Sequence, residues 1–272
     1  MRGPLVVLLL GVILACGGGG GDPAPSPATN GTPTSAATLP AKLTIPVFAP
    51  PVGARYATSY EMEMSMDVPD GAGKADVRMT EHLEGELTAR TLTNGRIDSV
   101  TVKVTAGKST SSTPKGSQEA LPDSVGKEYT VTRVDGGTNQ VERTDGAKMQ
   151  ADEGSDARRL ANKLFDKRVS PILAGRGDAI DAADILGAPD AGATMSGTMS
   201  LGLSTTECAA PFTGTLTGTS VRGNTTMAMA MTGDVCVDPS TGLVSKSELR
   251  GTINAGTQGT GTVHFLSTAK KM

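Results

Sequence analysis

The sequence predicts a mostly β protein of the α+β kind. One large antiparallel sheet of about ten strands, a sandwich or a half-barrel, is accompanied by one or two short helices. Three observations lead there. Apolar and polar residues alternate with period two in runs between residues 56 and 267. Clusters of Gly, Asn and Asp punctuate those runs as turns. Helical spacing interrupts the pattern in one stretch, residues 155–187, a helical insert within a single domain expected over residues 43–272.

The clearest run is Tyr56 to Val68. Tyr56, Thr58, Tyr60, Met62, Met64, Met66 and Val68 share one face, and Arg55, Ser59, Glu61, Glu63, Ser65 and Asp67 take the other. Asp70-Gly71 turns the chain into a strand from Ala75 to Thr93, with Val77, Met79, Leu83 and Leu87 on its apolar side. Asn94-Gly95 is the strongest hairpin signal in the sequence and leads into Ile97 to Thr105. A polar loop is expected from Gly107 to Gly116. Strands resume at Glu128 to Val134 and, after Asp135-Gly136-Gly137, at Asn139 to Arg143.

At Ser155 the period changes. Ser155 is placed to cap a helix with Ala157, Leu160, Ala161, Leu164 and Phe165 on one side, ending before Pro171. A shorter helix is expected from Ala179 to Leu186, stopped by Gly187 and Pro189. The last third returns to strands. Met195, Met199, Leu201 and Leu203 alternate, as do Phe212 and Leu216; Met227, Met229, Met231, Val235 and Val237 follow on one face of residues 225–237, with Cys236 on the other. The turn Asp238 to Gly242 precedes strands over 243–253 and 262–267. So few apolar helix residues do not cover an apolar face drawn from ten strands. The sheet must close on itself, pair face to face, or keep a concave apolar surface.

The amino terminus carries a different message. Met1-Arg2-Gly3-Pro4 precedes an apolar run from Leu5 to Ala15, then Cys16. The run is about half the ~20 residues of a membrane-spanning helix, and its layout is that of a secretory signal. Ile13-Leu14-Ala15-Cys16 resembles the lipobox of bacterial lipoproteins. That resemblance implies cleavage after Ala15, with residues 1–15 as signal peptide, and diacylglyceryl and acyl (palmitate-type) modification of Cys16; an ordinary cleaved signal beside an unmodified cysteine is the alternative. Residues 16–42, rich in Gly, Pro, Ser and Thr, read as a lipidated, disordered tether. With Cys16 assigned to lipid, Cys208 and Cys236 remain as a disulfide pair in an oxidising compartment. The place is then the cell envelope, on the outer membrane or its periplasmic face.

Composition narrows the function. A formal net charge of −3 shows no basic excess for nucleic acid, and 3% aromatics with no Trp remove the usual stacking platforms. The runs Met62/Met64/Met66 and Met227/Met229/Met231 offer soft sulfur to Cu(I), yet strand alternation puts them where core residues sit, and no histidine neighbours them. His82 and His264 read as exposed strand residues. Gly107-Lys108-Ser109 lacks the first glycine of a phosphate loop, since Val102 stands there. Arg176-Gly177-Asp178 reads as a turn, and Asp178, Asp181 and Asp184 as a solvated face. No catalytic residue, metal site or cofactor is predicted. The mature domain loosely resembles β-rich envelope lipoproteins of half-barrel type that carry lipids or other lipoproteins. The expectation is therefore a non-enzymatic, membrane-anchored protein that binds an apolar ligand or an envelope protein partner through its sheet. The alternative is a structural or surface-display domain without a ligand.

Overall fold

The computed structural model describes residues 42–70, 73–93, 95–134, 139–150, 153–165, 168, 170–186, 193–222 and 225–272. Long alternating runs become long strands: β1 Leu43–Ile45, β2 Arg55–Asp70, β3 Gly73–Thr93, β4 Arg96–Thr113, β5 Gly116–Ala120, β6 Glu128–Thr132 and β7 Gln140–Arg143. Helix α1 covers Glu153–Ala161, followed by β8 Ile172–Ala174, β9 Ala179–Asp181 and α2 Ala182–Leu186. The chain ends with β10 Ala193–Leu201, β11 Ala210–Arg222, β12 Thr225–Val237, β13 Val244–Asn254 and β14 Thr260–Lys271.

Among the described residues, twelve strands form one antiparallel sheet in the order β7-β6-β4-β3-β2-β14-β13-β12-β11-β10-β9, with β5 hydrogen-bonded to β4 beside β6. The sheet is open, and β1 and β8 form a separate two-stranded pair. Most neighbours in the sheet are sequential hairpins. Besides β4 with β6, the exception sits in the middle, where β2 pairs along its length with β14, from Tyr56 opposite Lys271 to Asp67 opposite Thr260.

Parity along each strand assigns the faces. Tyr56, Tyr60, Met62, Met64 and Met66 are buried on β2, while Glu63 and Asp67 are exposed. One row of the inner face runs from Met199 through Gly214, Gly233, Leu249 and Phe265 to Met62 and Glu81. Glycines in such rows let the strands crowd together on the inner side. A Cβ on Gly251 would lie 1.9 Å from the Ala230 carbonyl oxygen, and one on Gly214 would lie 2.0 Å from that of Thr198. Crowding on the inner side curls the sheet around its apolar face. That face is a single core, closed at one end by β1, β8 and the turns between strands. This end is the lower rim. It carries the start of β2, the ends of β10, β12 and β14, and the beginnings of β11 and β13.

Several expectations are corrected. The segment from Gly107 to Gly116 is not a loop: Ser109–Thr113 pair with Gly116–Ala120 as a polar hairpin extending β4. Alternating Ser, Thr and Lys satisfy their backbone in a ladder as well as apolar residues do. Helix α1 starts at Glu153, two residues before Ser155, because Glu153 is held in the core by Lys127 and Tyr129. Ala179–Asp181 form a strand on β10, and only then does the helix begin, where the Asp181 carboxylate accepts from the Ala183 amide. Strands β1 and β8, three residues each, carry no alternation long enough to announce them. Leu203 lies beyond β10 and is exposed. The turn residues Gly71, Asn94, Asp135, Gly136, Gly137, Gly187 and Pro189 fall outside the described residues.

Cys208 and Cys236 are joined, with Cα atoms 5.6 Å apart. Cys236 sits opposite Pro211 at the lower end of β12, so the bridge clamps the open end of the long β11–β12 hairpin. Closing a loop of this size contributes roughly 3–4 kcal/mol in the chain-entropy model. Replacing both cysteines by serine should lower the unfolding free energy by about that amount, read from urea denaturation. In the same assay Gly251→Ala should cost about 1–3 kcal/mol, since its methyl group has no room against the β12 backbone.

Candidate functional site

The inner face is built from a narrow set of side chains. Met62, Met64 and Met66 on β2 face Met79 on β3, and Met199 on β10 and Met227 and Met231 on β12 line the other half. Thioethers are flexible and polarisable, so a wall made of them adapts to irregular partners. Most of this wall is covered by the chain itself. Its margin lies at the β10–β12 corner. Met195 on β10 and Met229 on β12 remain half-buried on either side of Gly218, to which both are paired. An added Cβ on Gly218 would come within 2.6 Å of the Thr194 carbonyl oxygen, so this glycine lets β10 and β11 approach closely between the two methionines.

Across the opposite half lies α1. Its sequence, Glu153 to Ala161, is mostly polar, and it is fastened to the sheet by charge as well as by apolar contact. Leu160 packs over Gly85, where an added Cβ would come within 2.8 Å of its Cδ1 atom. Beside it, the Arg159 guanidinium donates to the Glu81 carboxylate and, at 3.3 Å, to Asp156, and it lies 5.6 Å from the centroid of the Tyr60 ring. Asp156 in turn accepts from the Ser124 hydroxyl at 2.6 Å. Arg159, Glu81 and Asp156 are all nearly inaccessible to water. Burial works against the Arg159 charge, but Glu81, Tyr60 and Asp156 outweigh it and hold the guanidinium protonated. Past α1, the Lys163 ammonium donates to Ser247 on β13 at 2.8 Å, so the segment spans the inner face from β3 to β13.

The first turn of α1 is anchored in the same way. Glu153 accepts from the Lys127 ammonium at 2.6 Å and from the Tyr129 hydroxyl at 3.2 Å. Burial pushes the Glu153 carboxyl up, yet the Lys127 hydrogen bond and charge and the Tyr129 hydroxyl prevail, and the net shift is downward. Burial, then the Glu153 charge, pushes the Tyr129 phenol upward. These groups neutralise one another in pairs. Glu81 and Asp156, the two buried carboxylates that lie closest to an acid–base arrangement, share one arginine and are committed to holding it.

Glu81 is the functional residue missed in the sequence. The signal was present: it has the parity of Met79 and Leu83, which put a carboxylate on the apolar face of β3. His82, by contrast, faces outward as expected, with Nδ1 3.3 Å from Glu61 and Nε2 3.2 Å from Glu84. His264 lies on the same outer face, 3.6 Å from Glu63. Both histidines are therefore on the far side of the sheet from the methionine sulfurs. Among the described residues no group of three or more His, Cys, Asp or Glu side chains could hold a metal. Lys108 and Ser109 lie on β4, and Asp178 closes a turn by accepting from the Gly175 amide. Cys16 lies outside the described residues.

The outer face is mostly polar, from Thr194, Thr217 and Thr219 on β10 and β11 to Glu61, Glu63 and Lys103 on β2 and β4, with Ala228, Ala230 and Leu266 among its apolar residues. A strand face set against lipid tails needs the opposite, an apolar exterior. No helix among the described residues is long and apolar enough to cross a membrane.

No family model matches the chain, and no curated protein does. Similar solved structures include lipovitellin, studied for its lipid–protein interactions, at 8% identity and a TM-score of 0.44. The match covers 82% of this chain, which spans 25% of that one. Another is the translocator domain of the autotransporter NalP from Neisseria meningitidis, at 8% identity and a TM-score of 0.33, covering 83% of this chain and 91% of that one. A third is the COG4313 outer membrane channel from Pseudomonas putida F1, at 11% identity and a TM-score of 0.28, covering 83% and 98%. At these scores none assigns the chain a fold family or a function.

Two measurements check the anchoring of α1. Arg159→Leu strands the Glu81 carboxylate in the core and should cost about 3–5 kcal/mol in urea denaturation, whereas adding Glu81→Met should restore most of that loss. Glu153 titrates lower in the folded chain than in the unfolded one. Its contribution to stability is therefore full above the ordinary glutamate range and is lost as pH falls through its depressed folded value. Glu153→Gln should flatten that acid limb of the stability profile.

Proposed function

We propose that the protein is a non-enzymatic, lipid-anchored protein of the bacterial cell envelope whose curved sheet takes up an apolar ligand of the lipid class. The observation that carries the ligand is the methionine-lined inner face of the curved sheet, with Met195 and Met229 half-buried at its β10–β12 edge. A wall of thioethers suits acyl chains of varied length, because each side chain re-packs at little cost. The anchor is supported by Ile13-Leu14-Ala15-Cys16 and by the Gly/Pro-rich stretch behind it. The polar outer face fits a domain held beside a membrane by its amino terminus rather than one sitting within it.

A second reading, a display or structural domain without a ligand, is favoured by the near-complete burial of the rest of the inner face under the chain's own α1, β1 and β8. One experiment separates the two. Protein purified from its native host and extracted into organic solvent should release a lipid in near-stoichiometric amount by mass spectrometry, and Met229→Asp should abolish its recovery while leaving the melting transition cooperative. An extract empty of lipid from the unaltered protein selects the display reading. The anchor is tested separately: Cys16→Ser should retain the signal segment and lose the mass of the acyl chains.

A further inference from the structure

We infer that the lower rim of the sheet is a membrane-docking surface that lays a set of apolar side chains into the bilayer interface. The inference rests on the anchoring part of the reading above, not on the ligand. Four of the five large apolar side chains that are most exposed lie on this rim: Val52 at 61%, Leu173 at 57%, Leu203 at 59% and Met272 at 58%. Their placement follows from the hydrogen-bond register. Val52 is next to Gly53, whose amide donates to the Ala89 carbonyl beside the start of β2, and the Met272 amide donates to the Arg55 carbonyl. Leu203 follows the end of β10, and Leu173 is on β8, two residues before the turn in which Arg176 bridges to Leu201. The fifth, Leu121, is 70% exposed but stands behind β5, well up the sheet edge.

The occupant is set by where the chain enters. The described domain begins at Lys42 and β1, and β1 belongs to this rim, since a Cβ on Gly242 of the β12–β13 turn would touch the Pro46 carbonyl oxygen at 2.0 Å. Residues 1–41, with their apolar run and Cys16, therefore attach at the same end as the exposed apolar groups. Lys42, Lys270 and Lys271 are exposed there as well and suit phosphate headgroups, while Asp178 and Glu207 are exposed acidic residues of the same end. A tether that holds the rim near the bilayer raises its effective concentration there, so individually weak apolar contacts suffice to orient the domain. The depth expected is that of interfacial insertion, about 5–10 Å into the headgroup and acyl boundary.

The absence of native tryptophan makes the test direct. Single substitutions Leu203→Trp, Leu173→Trp and Val52→Trp in the full chain, with Leu121→Trp as the off-rim control, are reconstituted into vesicles of equal parts phosphatidylcholine and phosphatidylglycerol with brominated acyl chains. All four positions are exposed, so the fold tolerates each change. The rim tryptophans should shift to the blue and be quenched by about twofold or more relative to unbrominated vesicles, and the control should emit as in water. Rim tryptophans that emit like the control overturn the inference whether or not the protein floats with the vesicles. The mass of the Cys16 peptide from the same preparation reports on the anchor independently: an acylated chain with unquenched rim probes defeats docking alone. Quenched rim probes on an unacylated chain uphold docking and defeat the anchor.

Discussion

The structure depends on covering one apolar face with very little material. A sheet this broad exposes a long row of Met, Leu, Phe and Val on its inner side, and the α-helices among the described residues are nine and five residues long. Two devices meet the requirement. Inward glycines let the strands curl until the face wraps upon itself, and α1 is laid across the half where curling alone leaves it open. The attachment of α1 is unusual for a core helix because it is largely ionic. Burying Arg159 with Glu81 and Asp156 carries a desolvation cost that an apolar pair of similar size avoids. What the charges supply in exchange is position. Arg159 has one place on the inner face where its charge is met, and Lys163 has another at Ser247.

That arrangement explains the division of the inner face. Where α1 lies, polar residues of the sheet find partners on the helix, and the interior is closed. At the β10–β12 corner the sheet presents methionine and glycine instead, and Met195 and Met229 are half-buried against the core. The outer face is uniform by comparison, a field of Thr, Ser, Glu and Lys whose hydroxyls bond across strands, as Thr194 does to Thr219 and Ser196 to Thr217. The two faces thus differ in kind. One discriminates between positions by charge and size, and the other presents mostly polar side chains throughout.

How much of this was legible in the sequence varies with the length of the signal. Strands β2, β3, β11 and β12 announce themselves because their alternation runs for a dozen residues or more, and parity then fixes which side chains are buried. The Cys208–Cys236 bridge followed from cysteine usage. Short elements were not legible: β1, β8 and β9 hold three residues each, and their pairing is decided by what the rest of the chain leaves uncovered. The polar hairpin at Gly116 was hidden because backbone pairing needs no apolar pattern. The ionic seat of α1 was half legible. Glu81 shares the parity of Met79 and Leu83, a signal that went unread, and its partner lies 78 residues away, where no local rule connects the two.

The pairing of β2 with β14 has a consequence for assembly. The first long strand and the last stand side by side at the centre of the sheet, separated by nearly the whole length of the domain. Each half can form its own hairpins as it is made, β2–β3–β4 early and β11–β12–β13 late, but neither can be joined to the other until β14 has emerged. Such non-local closure is slow, because the entropy of the intervening chain is lost before the contacts reward it. A polypeptide wired in this way stays two unfinished ribbons until synthesis is almost over. That is a useful property for any chain that must be threaded through a narrow passage before it folds.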